Sequence, residues 1–452
     1  MFIWVLLAIF IAMFCGAYIK FDKDIVAPAV VLVAGYTFSI ICATANIKAW
    51  AIDLHWETVA VLTYGTGLFV VTGYLVKQYM KKKRNRQNGD ERELKPIEYN
   101  RKYVKYFCVY QILVMVIWVA NIYYVTSNMG EFNSFSEMMV AFREWSSYST
   151  EWMGSIQFTI INQLQQICTA TLVIFVYLLA YNYVVNNGIR RDYVLCIPIF
   201  LTIAQMLLGG GRLGIVQLVM TGAMLLILFY RKYKNIIFKI NIKLIVGCVF
   251  AMIIGGILFY YAKAFVGRGA NDLSIGKSFG YITMYVGGPI QLLDVFLFNP
   301  VAASTIWGKE TFYSLNTQLI RLGILDINPY IIHLEFRNAT TGVFLGNIYT
   351  AYRSYIYDFG YIGLTVLPVI FSASVNSLYY KILYDREIPK YSLLVLLYIV
   401  VYPVIFFDFV RCFFFADIIS FGTLKKMLIL IGMSYIFIDG FNLKRNLFQN
   451  KE

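Results

Sequence analysis

Long apolar runs broken by short, mostly basic punctuation organise this chain. A membrane span needs about 20 mostly apolar residues. Runs of that kind fall at roughly 2–19, 25–46, 55–76, 106–127, 157–185, 193–210, 213–230, 244–262, 358–380, 391–410 and 425–441. They predict about eleven transmembrane helices. One interruption differs from the rest. Between the eighth and ninth runs, Lys263 to Tyr357 is polar and mixed in charge, and it continues into the next run as far as Gly363. It carries Arg268, Lys277, Lys309, Glu310, Arg321, Asp326, His333, Glu335, Arg337 and Arg353, followed at once by Asp358. The expectation is an all-α polytopic membrane protein, a single integral domain over residues 1–452. Residues 263–357 form its large extracytoplasmic loop, and that loop is expected to be the catalytic one.

Lysine and arginine orient such a chain, because short cytoplasmic loops are enriched in them. The most basic loop, Lys77–Lys105, contains KQYMKKKRNR, and RKYKNIIFKINIK follows Tyr230. IRRD at Ile189 and LKRNLFQNKE near the end have the same sign. Placing all four in the cytoplasm agrees with eleven spans, an outside N-terminus and an inside C-terminus. Lys263–Tyr357 and the shorter loops at Asn128–Ser155 and Gly209–Gly211 then lie outside. In Asn128–Ser155, Phe135, Met138, Met139, Phe142 and Trp145 recur at helical spacing, with Ser134 or Ser136 as the cap. That is a short amphipathic helix, lying on the interface or packing under the outer loop. Phe2–Tyr18 has no basic segment before it and reads as a first span, not as a cleaved signal.

Composition narrows the class. Of 452 residues 60% are hydrophobic and 14% charged, whereas soluble domains carry about 25% charged residues. The net charge of +14 sits in short loops beside spans, so topology and anionic lipid account for it, and nucleic acid is not expected as a partner. The 17% aromatic content, with 36 Tyr and 36 Phe, suits interfacial belts and sugar- or lipid-facing surfaces. Seven cysteines lie in or beside apolar runs with no CxxC pair, as small buried hydrophobes do. The cytoplasmic loops are too short to hold an enzyme domain, so any chemistry belongs to the outer face or to the spans.

Several residues there fit anion chemistry. LLGGGRLG places Gly209, Gly210 and Gly211 before Arg212 at the outer end of a span. Glycines let the backbone approach a ligand, helix-start N–H groups attract anions, and a guanidinium fork matches phosphate oxygens. An anchoring role at the helix end is the plainer alternative for Arg212. Arg268, in VGRGAND, sits between two glycines. Arg353 enters the next span, where Asp358 is its expected ion-pair partner if its role is structural. Arg411 has Asp408 or Asp417 to neutralise it. Only two histidines occur, His55 at the outer start of the third span and His333 beside Glu335. His55 reads as an interfacial residue and His333 as a candidate base. No HExxH, cysteine pair or GxSxG is present, so neither a metal site nor a cofactor is expected.

Three stretches together resemble the Wzy-type polymerases of O-antigen and capsule synthesis, the oligosaccharide repeat unit polymerase family. They are IDLHWETVAVL at an early span, GGGRLG opening a span that ends in a basic loop, and GNIYTAYRSYIYDFGYIG closing the large outer loop. O-antigen ligases are similar, but show a His-Asn pair where this chain has Gly346 and Asn347. The resemblance implies a helical fold like that of the lipid-phosphosugar glycosyltransferases, the GT-C-like architecture. It implies a bacterial cytoplasmic (inner) membrane location with the active site on the extracytoplasmic face. The activity implied is polymerisation of undecaprenyl-diphosphate-linked oligosaccharide repeat units, which serve as both donor and acceptor. Membrane lipids and a chain-length regulator protein are the further partners. On that reading Arg212, Arg268 and Arg353 bind the diphosphate, Gly210, Gly211 and Asn347 support the site, and His333, Glu335 and Asp358 are the acid–base candidates. A ligase-like glycosyltransferase and a flippase for lipid-linked glycans are the alternatives.

Overall fold

The computed structural model describes residues 2–84, 95–149, 155–188, 192–209, 212–238, 275–332, 334–384 and 391–438. Among these the chain is a helical bundle. Its principal elements are α1 (Phe2–Lys20), α2 (Pro28–Ala45), α3 (Trp56–Arg84), α4 (Arg101–Ser127), α5 (Phe135–Tyr148), α6 (Ile156–Asn186), α7 (Cys196–Leu208) and α8 (Arg212–Lys234). They continue with α9 (Ile275–Phe298), α10 (Tyr313–Arg321), α11 (Ala351–Tyr384), α12 (Leu393–Phe406) and α13 (Phe421–Phe437). A small antiparallel pair, β1 (Arg337–Asn338) and β2 (Phe344–Gly346), joins α10 to α11.

Seven of the described helices are long and apolar enough to cross a membrane: α1, α2, α3, α4, α6, α8 and α11. The protein is a multi-pass membrane protein. The runs at 193–210 and 391–410 fold as shorter apolar helices, and the run at 244–262 lies outside the described residues. Several boundaries move outward from the apolar runs. α4 begins at Arg101 because the Asn100 side chain accepts from the Lys102 and Tyr103 N–H groups, at 3.1 and 3.3 Å. α3 carries its apolar run on through Lys77 to Arg84, since basic side chains suit a helix C-terminus. α11 starts at Ala351, so Arg353 and Asp358 belong to its first turns, before a kink at Gly360 where φ is 62°. The segment 263–357 is also not one loop. The apolar helix α9 lies within it and packs on α2 so closely that a Cβ on Gly287 would stand 2.5 Å from the Ala43 nitrogen.

In lipid, helices associate through close packing and polar contacts and gain little from hydrophobic burial. The seam between α3 and α11 shows both. Gly65 abuts Tyr352, Gly73 abuts Asn376, and the Ser372 hydroxyl donates to the Phe69 carbonyl at 2.6 Å. Beyond the Gly360 kink, Leu364, Ser372 and Asn376 meet Gly65, Phe69 and Gly73 in turn, so that part of α11 runs beside α3 in the same direction. The amphipathic α5 forms as its spacing predicts. Ser134 caps it, accepting from Glu137 N at 3.2 Å, while Glu137 accepts from Asn133 N at 2.9 Å. Its Met139 and Phe142 join Trp118, Ile122, Phe158 and Ile161 in a satellite core, so it is a packing helix.

The bundle has two chemically different ends. At one, Lys77 pairs with Asp22 at 2.9 Å, Arg231 pairs with the buried Asp24, and the Lys232 ammonium donates to the Ile382 carbonyl at 2.7 Å. This is the end of the basic loops. The starts of α3 and α11 lie at the other end, about 30 Å away at 1.5 Å rise per residue. Because Arg231 and Lys232 close α8 at the basic end, Arg212, which opens that helix, lies at the far end too.

Candidate active site

The last turn of α9 collects the polar groups of the far end. Helical residues turn by about 100° each, so Asp294, Val295 and Phe296 face three successive directions. Each direction holds a different group.

On the Asp294 face stands His55. Its Nδ1 is 3.0 Å from Asp294 Oδ2, and its backbone N–H donates to Asp294 Oδ1 at 2.9 Å. The Thr58 hydroxyl adds a third contact to the same carboxylate, at 2.5 Å. Asp294 thereby caps the start of α3 from across the bundle. Its side chain is 4% exposed and that of His55 is 51% exposed. The His55 ring also stacks on Phe298, one turn beyond Asp294, with ring centroids 3.7 Å apart.

On the next face lies Arg337, brought there by β1. It donates to the carbonyls of Val295 at 3.1 Å and Asn299 at 2.7 Å, satisfying the exposed C-terminal end of α9 as a cation should. Among the described residues no carboxylate pairs with its guanidinium.

On the third face is Arg353. It is fully buried, with the guanidinium stacked on Phe296, Tyr349 and Tyr357 at 4.8, 4.6 and 5.4 Å. One amino group donates to Glu310 and the other to Glu335 at 3.0 Å. Glu310 is almost completely buried and also accepts from the Ser354 hydroxyl at 3.0 Å. Burial pushes its carboxyl above the usual carboxylate range, with Arg353 pulling the other way. Glu335 is a third exposed. The Tyr349 hydroxyl donates to the Glu335 carbonyl at 3.0 Å, and burial pushes that phenol up to about 12, so it stays a donor.

The partner of Arg353 is therefore not Asp358. That carboxylate accepts from the backbone N–H groups of Thr311 at 2.6 Å and Glu310 at 3.1 Å, tying the 299–312 connection to α11. Arg353 and Asp358 hold the loop in place from within; of the three acid–base candidates Glu335 and Asp358 are described, and both are partly exposed. Asn347 follows β2 and is half-buried. His333, Arg268, Gly210 and Gly211 lie outside the described residues, and for Arg212 only the backbone position is described. Arg411 pairs with Asp417 at 3.3 Å, while Asp408 instead accepts from the Tyr36 hydroxyl at 3.0 Å.

The residues that sequence reasoning did not bring forward are Asp294, Arg337 and Glu310. Among the described residues no three His, Cys, Asp or Glu side chains gather as a metal-ligand set. No protein-family model, curated protein or solved structure matches the chain. The cluster brings an oriented imidazole, a guanidinium bound to helix carbonyls and an anchored carboxylate to one helix end.

Proposed function

We propose that this protein is a glycosyltransferase of the outer membrane face. It joins undecaprenyl-diphosphate-linked oligosaccharide repeat units into a surface polysaccharide, as the Wzy-type polymerases it resembles do. The observation that carries the reading is the arc of His55, Arg337 and Arg353–Glu335 around the last turn of α9, at the end opposite the basic loops. A lipid-linked diphosphate presents its phosphates at that depth, with its tail among apolar helices and its sugars beyond them. The leaving diphosphate gains negative charge in the transition state, and preorganised cations stabilise it. We assign that role to Arg212, which opens α8, and to Arg268. Arg353 contributes indirectly, by fixing Glu335 as an acceptor for sugar hydroxyls. The location that follows is the bacterial cytoplasmic membrane, with the chemistry on its extracytoplasmic side.

Deletion of the gene, followed by gel analysis of surface polysaccharide, tests this. Loss of long chains with single lipid-linked units accumulating on the outer face is expected. Long chains of normal length would refute it.

One observation favours a second reading, a flippase for lipid-linked glycans. Asp408 is buried within the bundle and its Oδ1 has no hydrogen-bond partner among the described residues, and ionisable groups inside spans mark transport pathways. Single units trapped on the cytoplasmic face of the deletion strain would select it.

A further inference from the structure

We propose that His55 is the catalytic base, with the buried Asp294 as its positioning residue. The proposal rests on the glycosyltransferase reading above and names the proton acceptor within that site. Three observations carry it. First, the contact is of the kind that fixes a tautomer. A carboxylate oxygen accepts, so in the neutral imidazole the hydrogen sits on Nδ1, at 3.0 Å from Asp294 Oδ2, and the lone pair on Nε2. Second, the two partners differ in access as a base and its orienting group do. Asp294 is enclosed, and held by three contacts from the start of α3. His55 is half exposed, and no second hydrogen bond to its ring exists among the described residues. Third, the ring is not free to swing. Phe298 stacks against it at 3.7 Å, and its own backbone is pinned to the same carboxylate. A histidine serving only to cap Asp294 would not need half of its side chain open to the surface. Arg337 binds the same end of α9, through the Val295 and Asn299 carbonyls.

Nε2 of His55 accepts the proton of a sugar hydroxyl on the acceptor unit. That oxygen forms a bond to the anomeric carbon of the donor glycan. The bond from that carbon to the diphosphate oxygen breaks, and its electron pair leaves with undecaprenyl diphosphate. The imidazolium then releases its proton to water. General-base assistance of this kind contributes about a hundred- to ten-thousandfold in rate.

The test uses the intact protein in a deletion strain, complemented by wild type, His55→Asn, His55→Gln or Asp294→Asn. Asparagine retains a donor where Nδ1 was and so preserves the cap on Asp294, but it lacks Nε2. At wild-type membrane levels, His55→Asn and His55→Gln are expected to lose polymer at least a hundredfold and to accumulate single lipid-linked units. Asp294→Asn, purified, is expected to lower kcat while leaving KM for the lipid-linked unit unchanged. Normal-length polymer from His55→Asn, in a background where deletion abolishes polymer, would overturn the assignment and leave the polymerase reading intact. Normal polymer in the deletion strain itself would overturn both. Should the His55 variants fail to reach the membrane, diethyl pyrocarbonate on the purified wild-type protein replaces them, with modification of each of the two histidines, His55 and His333, followed separately by peptide mass. Inactivation in step with His55 modification, slowed by lipid-linked repeat units, is expected. Full activity after complete modification would overturn the proposal.

Discussion

Arg353 and Glu335 are ion-paired at 3.0 Å with unequal access: the arginine is fully buried and the glutamate a third exposed. The second carboxylate on the same guanidinium, Glu310, is buried with it. Removing the arginine leaves two carboxylates facing each other with nothing between them. Breaking a buried pair in this way costs about 3–5 kcal/mol. Arg353→Ala is therefore expected to fall sharply in membrane level and in thermal stability after detergent extraction. Arg353→Lys should be nearly as poor, because a point charge cannot serve two carboxylates and stack on three rings. Glu335→Gln keeps an acceptor on Arg353 and should remain stable while losing polymer. A stable Arg353→Ala protein would show that the cluster is not what holds the 299–350 region to α11.

Asp408 separates structural burial from transport. Its Oδ2 accepts from Tyr36, whose ring is stacked on Tyr352 with centroids 5.2 Å apart. Asp408→Asn keeps that acceptor and the volume, so polymer length and melting temperature should be unchanged. Asp408→Leu removes the shorter of the two acceptors of the buried Tyr36 hydroxyl and leaves it only the backbone carbonyl of residue 408, at 3.4 Å; a weakened buried hydrogen bond costs about 1 kcal/mol and should lower the melting temperature. Loss of surface glycan from a stable Asp408→Asn protein would instead mean that the charge itself is used, as the flippase reading requires.

Orientation is tested by thiol labelling of single cysteines at Arg84, the basic end of α3, and at Ser304, beyond α9. The Lys/Arg bias of short loops predicts that residue 84 labels only after the membrane is opened and residue 304 from outside. The reverse pattern would move the whole α9 cluster to the cytoplasmic side, and the proposed function would fall with it.

How far the sequence alone leads differs between fold and site. The long apolar runs predict their helices because lipid demands length and hydrophobicity, both of which a linear chain displays. The α5 cap and spacing were equally visible, being local. Arg353 was legible as an interfacial charge, but its partners were not. Glu310 and Glu335 come from separate turns of an irregular region, and the nearer Asp358 proved to be occupied with backbone N–H groups. The pairing of His55 with Asp294 spans 239 residues. Asp294 sits in the apolar stretch IQLLDVFLF, where a lone acid gives no hint of which helix start it will cap. The helix α9 was itself hidden inside a segment whose overall polarity masked one apolar stretch.

Metal dependence makes a fourth test. The expectation is that polymerisation by purified protein continues in chelator, because arginines can supply the positive charge that a Lewis-acid cation otherwise provides. The described residues offer no ligand cluster for a resident ion. Loss of activity in chelator, restored by a divalent cation, would show that an ion accompanies the diphosphate and would shift weight away from the arginines.

Arg212 provides the sharpest test of the donor side. Its helix, α8, ends at the basic face through Arg231 and Lys232, which places its first residue at the level of the α9 cluster. Three glycines precede it, so the backbone there accepts the close approach of a ligand, and helix-start N–H groups add to the attraction for an anion. If the guanidinium grips the leaving diphosphate with two parallel bonds, lysine cannot replace it. Losing one preorganised contact to developing charge costs about a hundred- to a thousandfold in rate. Arg212→Ala and Arg212→Lys are thus both expected to accumulate single lipid-linked units at normal protein levels. An arginine that merely anchors the helix end predicts a different pattern, with lysine tolerated and alanine lowering the amount of protein in the membrane. Full-length polymer from a normally expressed Arg212→Lys protein would remove the two-bond grip. Full-length polymer from Arg212→Ala would remove Arg212 from the site and leave Arg337, the β1 guanidinium on the last carbonyls of α9, as the cation to test next.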